Sequence, residues 1–352
     1  MRHFLIKKIN LIFYLFILLP FILFVTNICL SKKNQPHPVS FYFWKTQLNL
    51  SEYELETLKS LKIEKIYLRL FDVDRVGNIN LPVGEVTIIK TPINILIIPV
   101  IYITNRSLVG LEKDSIQKLA VNVLKKTEKI MDNNHLPLKA IQFDCDWTDS
   151  TRNNYFYFLK EIQNISKNKI ALSTTIRLHQ IKYREKTGIP PVQEGFLMFY
   201  NMGQINEAST RNSIFNKEDA SKYLSRLENY PIPLSYILPI FSWVVHFRDG
   251  RILDLITKKD MDSILNSTNL EKTKSDDLFL VKESFLSEGR FFKVGDLLKK
   301  ETISSIDLIE AAELLKNSNK QNNYDIIFFD LDEINLKRIT NETLNKTISI
   351  FN

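Results

Sequence analysis

The sequence predicts an α/β chain folded as a (β/α)8 barrel, and three observations lead there. Short apolar strands alternate with amphipathic helices along its 352 residues. Eight such strands can be counted after the N-terminal segment, the number a closed barrel needs. Strand after strand stays apolar until its C-terminal end, where it delivers polar groups. Alternation gives a parallel sheet wrapped by helices, because each parallel strand needs a crossover before the next. A doubly wound open sheet would alternate in the same way. Eight strands and polar C-terminal ends favour the barrel, whose sites gather at that face.

Residues 1–30 stand apart from this pattern. Arg2, Lys7 and Lys8 precede an almost uninterrupted apolar run over residues 11–30, about the length that spans a bilayer. The run exceeds a signal-peptide core, and Thr26-Asn27-Ile28 offers no small-x-small cleavage site. It predicts a retained signal anchor, a transmembrane segment that leaves the barrel extracytoplasmic, in the periplasm or at the cell surface. Cleavage before a lipid-modified Cys29 is the competing outcome, and the bulk of Ile28 disfavours it. Residues 31–38 form a polar linker. The barrel takes residues 39–352, with a long insertion after the seventh strand at about 245–303.

Each barrel element has a local reason. Residues 40–44, aromatic and bounded by prolines, read as the first strand. Residues 51–61 follow as a helix: Ser51 and Glu54 have capping-box spacing, and Leu55, Leu58 and Leu61 form a stripe. The second strand, residues 65–72, ends in Asp72 and Asp74. Gly77, Pro82, Gly84 and Pro92 then break up what would be a second helix. Residues 96–103 are a continuous apolar run, typical of a strand buried on both faces. Residues 114–131 are the clearest helix, with Ile116, Leu119, Val123 and Leu124 on one side.

The fourth strand covers residues 141–148. Alternate residues share a face, so Gln142, Asp144 and Asp146 point one way and Ile141, Phe143, Cys145 and Trp147 the other. A helix over 151–166 leads to the fifth strand, 170–179, where Ser173, Thr175, Arg177 and His179 share a face. The sixth strand, 195–201, ends in Tyr200 and Asn201. A helix over 217–228 precedes the seventh, 234–243, which runs to Trp243 with Pro239 as a bulge or an end. The insertion carries a helix near 252–265 and an aromatic segment at 285–296. A helix over 305–315, an eighth strand over 324–330 delivering Asp330 and Asp332, and a closing helix over 336–351 complete the chain.

Composition narrows the function. The formal charge of +7 is spread in lysines along the chain, and with nine glycines there is no phosphate-cradling loop and no nucleic-acid motif. With Cys29 in the anchor and Cys145 on the apolar side of its strand, no internal disulfide forms, and Cys145 reads as a small core residue. No CxxC or HExxH pattern points to zinc. Asp72, Asp144, Asp146, Asp330 and His179 would be the side chains to converge on a hard cation, but no loop motif fixes their spacing, so no metal and no cofactor is expected.

Inward carboxylates are costly unless something uses or pairs them. Two aspartates this close can push one pKa upward, which suits a general acid, whereas Arg177 and His179 on the neighbouring strand would hold them ionised. A buried network that only braces the mouth would use the same residues. Trp44, Trp147 and Trp243 sit at or near strand ends, and the expectation is two in the core and one as a sugar-stacking platform.

At this point the chain resembles a family. Asp144-Cys145-Asp146-Trp147-Thr148 is similar to the fourth-strand Asp-x-Asp-x-Glu signature of the chitinase-like glycoside hydrolases of family 18, and Met198-Phe199-Tyr200-Asn201 to their sixth-strand Met-x-Tyr-Asp. Leu238-Pro239 followed by aromatics is similar to their seventh strand. With Ile176-Arg177-Leu178-His179-Gln180 and Gly188-Ile189-Pro190-Pro191, the chain also resembles an uncharacterised group of bacterial envelope proteins. The resemblance implies a chitinase-like TIM barrel in which Thr148 replaces the acid glutamate and Asn201 a second carboxylate. Threonine is no general acid near neutral pH, so the acid must come from elsewhere, with Asp146, Asp72 or Asp330 as candidates, or the barrel holds sugar without cutting it.

The expected function is therefore an extracytoplasmic carbohydrate-active protein, a glycoside hydrolase-like enzyme with a glycan ligand and the membrane as partner through its N-terminal segment. Asp144, Asp146 and Tyr200 are the catalytic candidates. Arg177, His179, Asn201, Trp243, Asp72, Gln142 and Asp330 are the substrate-binding ones. A non-catalytic glycan-binding barrel and an envelope scaffold are the alternatives.

Overall fold

The computed structural model of the chain describes residues 36–203, 205, 212–319 and 321–352. The expected anchor at residues 11–30 lies outside them, and among the described residues no helix is long and apolar enough to cross a membrane. Eight parallel strands close into a barrel: β1 Val39–Phe43, β2 Lys65–Val76, β3 Leu96–Ile103, β4 Ala140–Asp144, β5 Ala171–Arg177, β6 Glu194–Met198, β7 Leu234–Pro239 and β8 Ile326–Phe329. Closure is explicit, since β1 pairs in parallel with both β2 and β8. The open doubly wound sheet is thereby excluded.

The connections follow the local chemistry. Ser51 caps helix Glu52–Ser60 in a complete capping box with Glu54. Helix Lys113–Asn133 buries Ile116, Leu119, Val123 and Leu124. Between β2 and β3 the glycines and prolines give a strand, Ile79–Val83, antiparallel to the long end of β2, and no helix.

On β4 the apolar face packs outward. Phe143 meets Phe158 of helix Arg152–Ile165 edge-on at 5.2 Å, and Trp147 stacks on Tyr155 at 5.3 Å while its Nε1 donates to the Thr187 carbonyl. The polar face points inward, where Tyr42 Oη donates to Gln142 Oε1 and Gln142 Nε2 donates to Ser173 Oγ at 3.3 Å. Gln142 thus braces β1, β4 and β5 in a fully buried layer. Removing the donor with Tyr42→Phe leaves a buried acceptor unpaired, and denaturant unfolding is expected to show a loss of about 1–3 kcal/mol.

Four of the boundaries that differ from the sequence reading change the setting of a candidate residue or split an element. β4 stops at Asp144, so Asp146 lies on the loop beyond it. β5 stops at Arg177 and turns into helix Leu178–Lys182, which carries His179 off the strand. β7 stops at Pro239, which has no N–H for a ladder, and Trp243 belongs to the next element. The closing helix is two, Glu333–Arg338 and Asn341–Phe351.

The insertion is mostly sheet. Strands Ser242–Arg248, Arg251–Thr257, Leu270–Lys272, Leu278–Val281 and Leu297–Thr302 form an antiparallel sheet, and the helix expected near 252–265 shrinks to Lys259–Leu265. Alternation over 251–257 explains the difference, with Ile256 inward and Leu253 and Leu255 outward. Val244, Ile256, Met261, Phe279 and Leu298 belong to its own small core.

Candidate active site

The C-terminal ends of the strands surround a cavity of about 380 Å³. Its wall takes Trp44 from the end of β1, Asp144 from β4, Tyr200 and Asn201 from beyond β6, Phe241 from beyond β7, and Phe329 and Asp330 from β8. The insertion supplies Trp243, Leu255 and Lys258. Aromatic rings pack into one another around the space: Tyr200 stacks on Phe329 at 5.6 Å, and Phe241 meets Trp243 edge-on at 5.3 Å. Trp44 and Trp243 line the cavity, and Trp147 and Trp243 are both buried in the core, so Trp44 is the most open of the three and Trp243 is core and wall at once.

The two aspartates of the opening motif part company. Asp146 is held by Arg177 through paired guanidinium contacts from Nε and Nη2. Asp144 forms no ion pair among the described residues. Its Oδ1 accepts from Thr175 Oγ1 at 2.5 Å, and its side chain reaches the cavity. Burial, reinforced by the negative charge of Asp146, pushes the Asp144 carboxyl up to about 6, with Thr175 and Arg177 acting in the opposite sense.

Asp330 lies on the opposite wall, since β8 and β4 are four strands apart round the ring. It is buried, accepts from Asn335 Nδ2 at 2.7 Å, and meets Lys258 Nζ at 3.1 Å. Burial raises its pKa although Lys258 opposes the shift. Lys258 also reaches Asp332 at 3.5 Å, and Asp332 pairs with Lys45 at 3.1 Å. The backbone of Lys258 is left-handed, with φ of 59°, at the junction of strand Arg251–Thr257 with the following helix.

The other expected residues fall around this pair. Tyr200 is buried, and its phenol is held well above the ordinary value by burial and then by the charge of Asp144, which keeps it a neutral donor. Asn201, with φ of 54°, lies between the main cavity and a recess of about 50 Å³ that Arg177 and His179 also line. Burial and then Arg177 lower the His179 pKa. Asp72 is clasped by Arg69 through two contacts and does not reach the cavity wall. Its charge adds to the field that raises Asp144. Among the described residues no group of three or more His, Cys, Asp or Glu is placed to hold a metal ion.

Thr148 is exposed, and its hydroxyl lies 2.9 Å from Ser150 Oγ and 3.3 Å from Thr151 Oγ1. Its carbonyl accepts the amides of Thr151 and Arg152, so the residue closes the turn that leads into helix Arg152–Ile165. Lys258, Phe241, Phe329 and Asn335 were missed in the sequence. Only the aromatic pair flanking Pro239 and Asp330 carried any signal, and nothing singled out Lys258 within the run Thr257-Lys258-Lys259-Asp260.

No family model and no curated protein sequence matches the chain. Among solved structures it is similar to the spore cortex-lytic enzyme SleL of Bacillus cereus, with a TM-score of 0.52 at 13% identity over 90% of this chain and 76% of that one. A chitinase from Chromobacterium violaceum gives 0.52 at 10% identity, covering 89% of this chain and 99% of that one. A GH18 chitinase from Cycas revoluta, solved with (GlcNAc)4, gives 0.50 at 9% identity, covering 90% and 100%. The chain has a chitinase-like TIM barrel, a glycoside hydrolase-like fold.

Proposed function

We propose that the protein is a carbohydrate-active enzyme of glycosidase type, working outside the cytoplasm behind the apolar run at residues 11–30. The saccharide sits in the mouth cavity and Asp144 donates the proton. One observation carries this reading: a buried carboxyl with no cation on it, with a pKa of about 6, opening into a cavity walled by aromatic rings. Cavities of roughly 300–1,000 Å³ with apolar walls and a few polar groups are the usual form of a ligand site. Flat rings suit the apolar faces of sugars. The titratable group is poised near neutrality, as a general acid must be.

The chemistry follows from the two walls. Protonated Asp144 gives its proton to the leaving glycosidic oxygen as the bond to the anomeric carbon breaks, and a water then bonds to that carbon and returns a proton to Asp144. The Asp330 carboxylate, anchored by Lys258 and Asn335, faces the positive charge that develops on the sugar ring. Tyr200 donates a hydrogen bond to the bound sugar. Asp146 and Arg177 brace the rim next to Asp144 and set its field.

A second reading, binding without cleavage, is favoured by Thr148, whose hydroxyl is spent on its own loop. Solved structures of this fold include chitinases and a spore cortex-lytic enzyme, so chitin oligosaccharides and peptidoglycan fragments are the first ligands to try. The purified full chain is expected to release more reducing ends at about pH 5 than at about pH 7.5, because the acid must be protonated. Binding without release in that assay selects the second reading. Neither binding nor release would sink both and leave a scaffold.

A further inference from the structure

We infer that the flank of the barrel between helix Glu52–Ser60 and the segment leading into β3, with the adjoining N-terminal end, is a second binding surface that seats on an anionic lipid bilayer. A cavity of about 390 Å³ runs along this flank, from Leu50 and Lys90, whose amide donates to the Leu48 carbonyl beyond β1, to Ile63 and Ile95 at the starts of β2 and β3. Its floor is apolar, made by Leu50, Leu58, Ile63 and Ile95. Ile93 stands at its edge with 84% of its surface exposed, and Ile89, next to the lining residue Lys90, is 56% exposed. An isoleucine that far into water on a loop gains nothing from the fold, whereas the interfacial layer of a bilayer would take it in.

The rim has the complementary charge. Lys59, Lys62 and Lys90 line the cavity, are exposed, and make no ion pair among the described residues. Below the cavity, the segments that enter β2, β4 and β5 continue the basic surface: residues 62–64, 134–139 and 166–170 carry Lys62, Lys139, Lys167 and Lys169 against the single acid Glu64. In a parallel barrel all these segments lie at one end. Apolar side chains ringed by lysines are what an anionic bilayer recognises, the chains entering the interface and the ammonium groups meeting the headgroups. The chain also enters the barrel at this end, through Pro38 into β1, eight residues after the apolar run at residues 11–30. The surface stands independently of whether that run is an anchor.

The test uses the full chain with Cys29→Ser and Ile93→Cys, the new thiol carrying a fluorophore, and lipids bearing a headgroup-level quencher. Vesicles of phosphatidylcholine alone are compared with an equimolar mixture of phosphatidylcholine and phosphatidylglycerol. Quenching is expected in the mixed vesicles and at least about threefold less in the neutral ones, and the triple variant Lys59→Glu, Lys62→Glu, Lys90→Glu is expected to lose it, since each lysine near an anionic surface counts about fivefold. A fluorophore at Leu253→Cys, exposed on the insertion at the other end, is expected to stay unquenched. Equal quenching at position 93 in both vesicles and in the triple variant, or none in either, overturns the inference. Flotation with mixed vesicles only supports the surface and sinks the anchor. Flotation with neither sinks both.

Discussion

Asp144→Asn is expected to unfold at a higher temperature than the wild-type protein at about pH 7.5 and at the same temperature at about pH 4, while losing roughly 10²–10⁴-fold in turnover. The sign follows from the carboxyl's environment. Its pKa rises from 3.8 to about 6 on folding, chiefly through burial. Between those values the folded protein keeps a proton that the unfolded chain has released, so stability falls as pH rises through this window and the full cost is present above pH 6. The difference is worth about 3 kcal/mol, or about 5 °C in melting temperature for a domain of this size. Asparagine removes the charge and still accepts the hydrogen bond from Thr175. A structural carboxylate would behave in the opposite way, its replacement destabilising most at neutral pH. Calorimetry at the two pH values separates these outcomes, and a variant less stable at pH 7.5 would remove the basis for Asp144 as a proton donor.

Lys258→Met is expected to destabilise the protein by about 2–3 kcal/mol near pH 7, less than a fully buried pair because the lysine keeps 30% of its side chain in solvent. The variant leaves Asp330 buried with Asn335 as its remaining polar partner. The Asp330 pKa is already raised by burial, and losing the cation raises it further. Raised carboxyl pKa values cost stability as pH rises through them, so the deficit is expected to shrink on acidification as Asp330 takes up a proton. Urea midpoints of the variant and of Lys258→Arg, measured from neutral to mildly acidic pH, check this. A deficit that does not change with pH would mean that Lys258 acts only through packing of the insertion.

These expectations rest on features that were unequally visible in the sequence. The barrel was readable because periodicity reports burial directly. Alternation over residues 141–148 set Phe143 and Trp147 on one face and Gln142 and Asp144 on the other, and the structure packs the first face on helix Arg152–Ile165 and turns the second inward. Boundaries were read less well where one apolar pattern continued through a change of element. Residues 234–243 look like one strand, yet the chain leaves the barrel at Pro239 and starts the insertion's sheet at Ser242. His179 was assigned to a strand face because nothing local marks the turn at Arg177 into a five-residue helix.

The sequence by itself determined the alternation of parallel strands with helices, the end of the strands that gathers polar groups, and the pair Asp144 and Asp146 at that end. Those follow from local alternation, which acts over a few neighbouring residues. Closure of the barrel came from the pairing of β1 with both β2 and β8. Only the tertiary structure decided which carboxylates are spoken for. Arg177 takes Asp146 from 31 residues away, Arg69 takes Asp72 from within its own bulged strand, and Lys258 meets Asp330 from 72 residues away on the insertion. A carboxyl's charge depends on distance, burial and the groups facing it across the fold, and none of these is written in the spacing of residues along the chain.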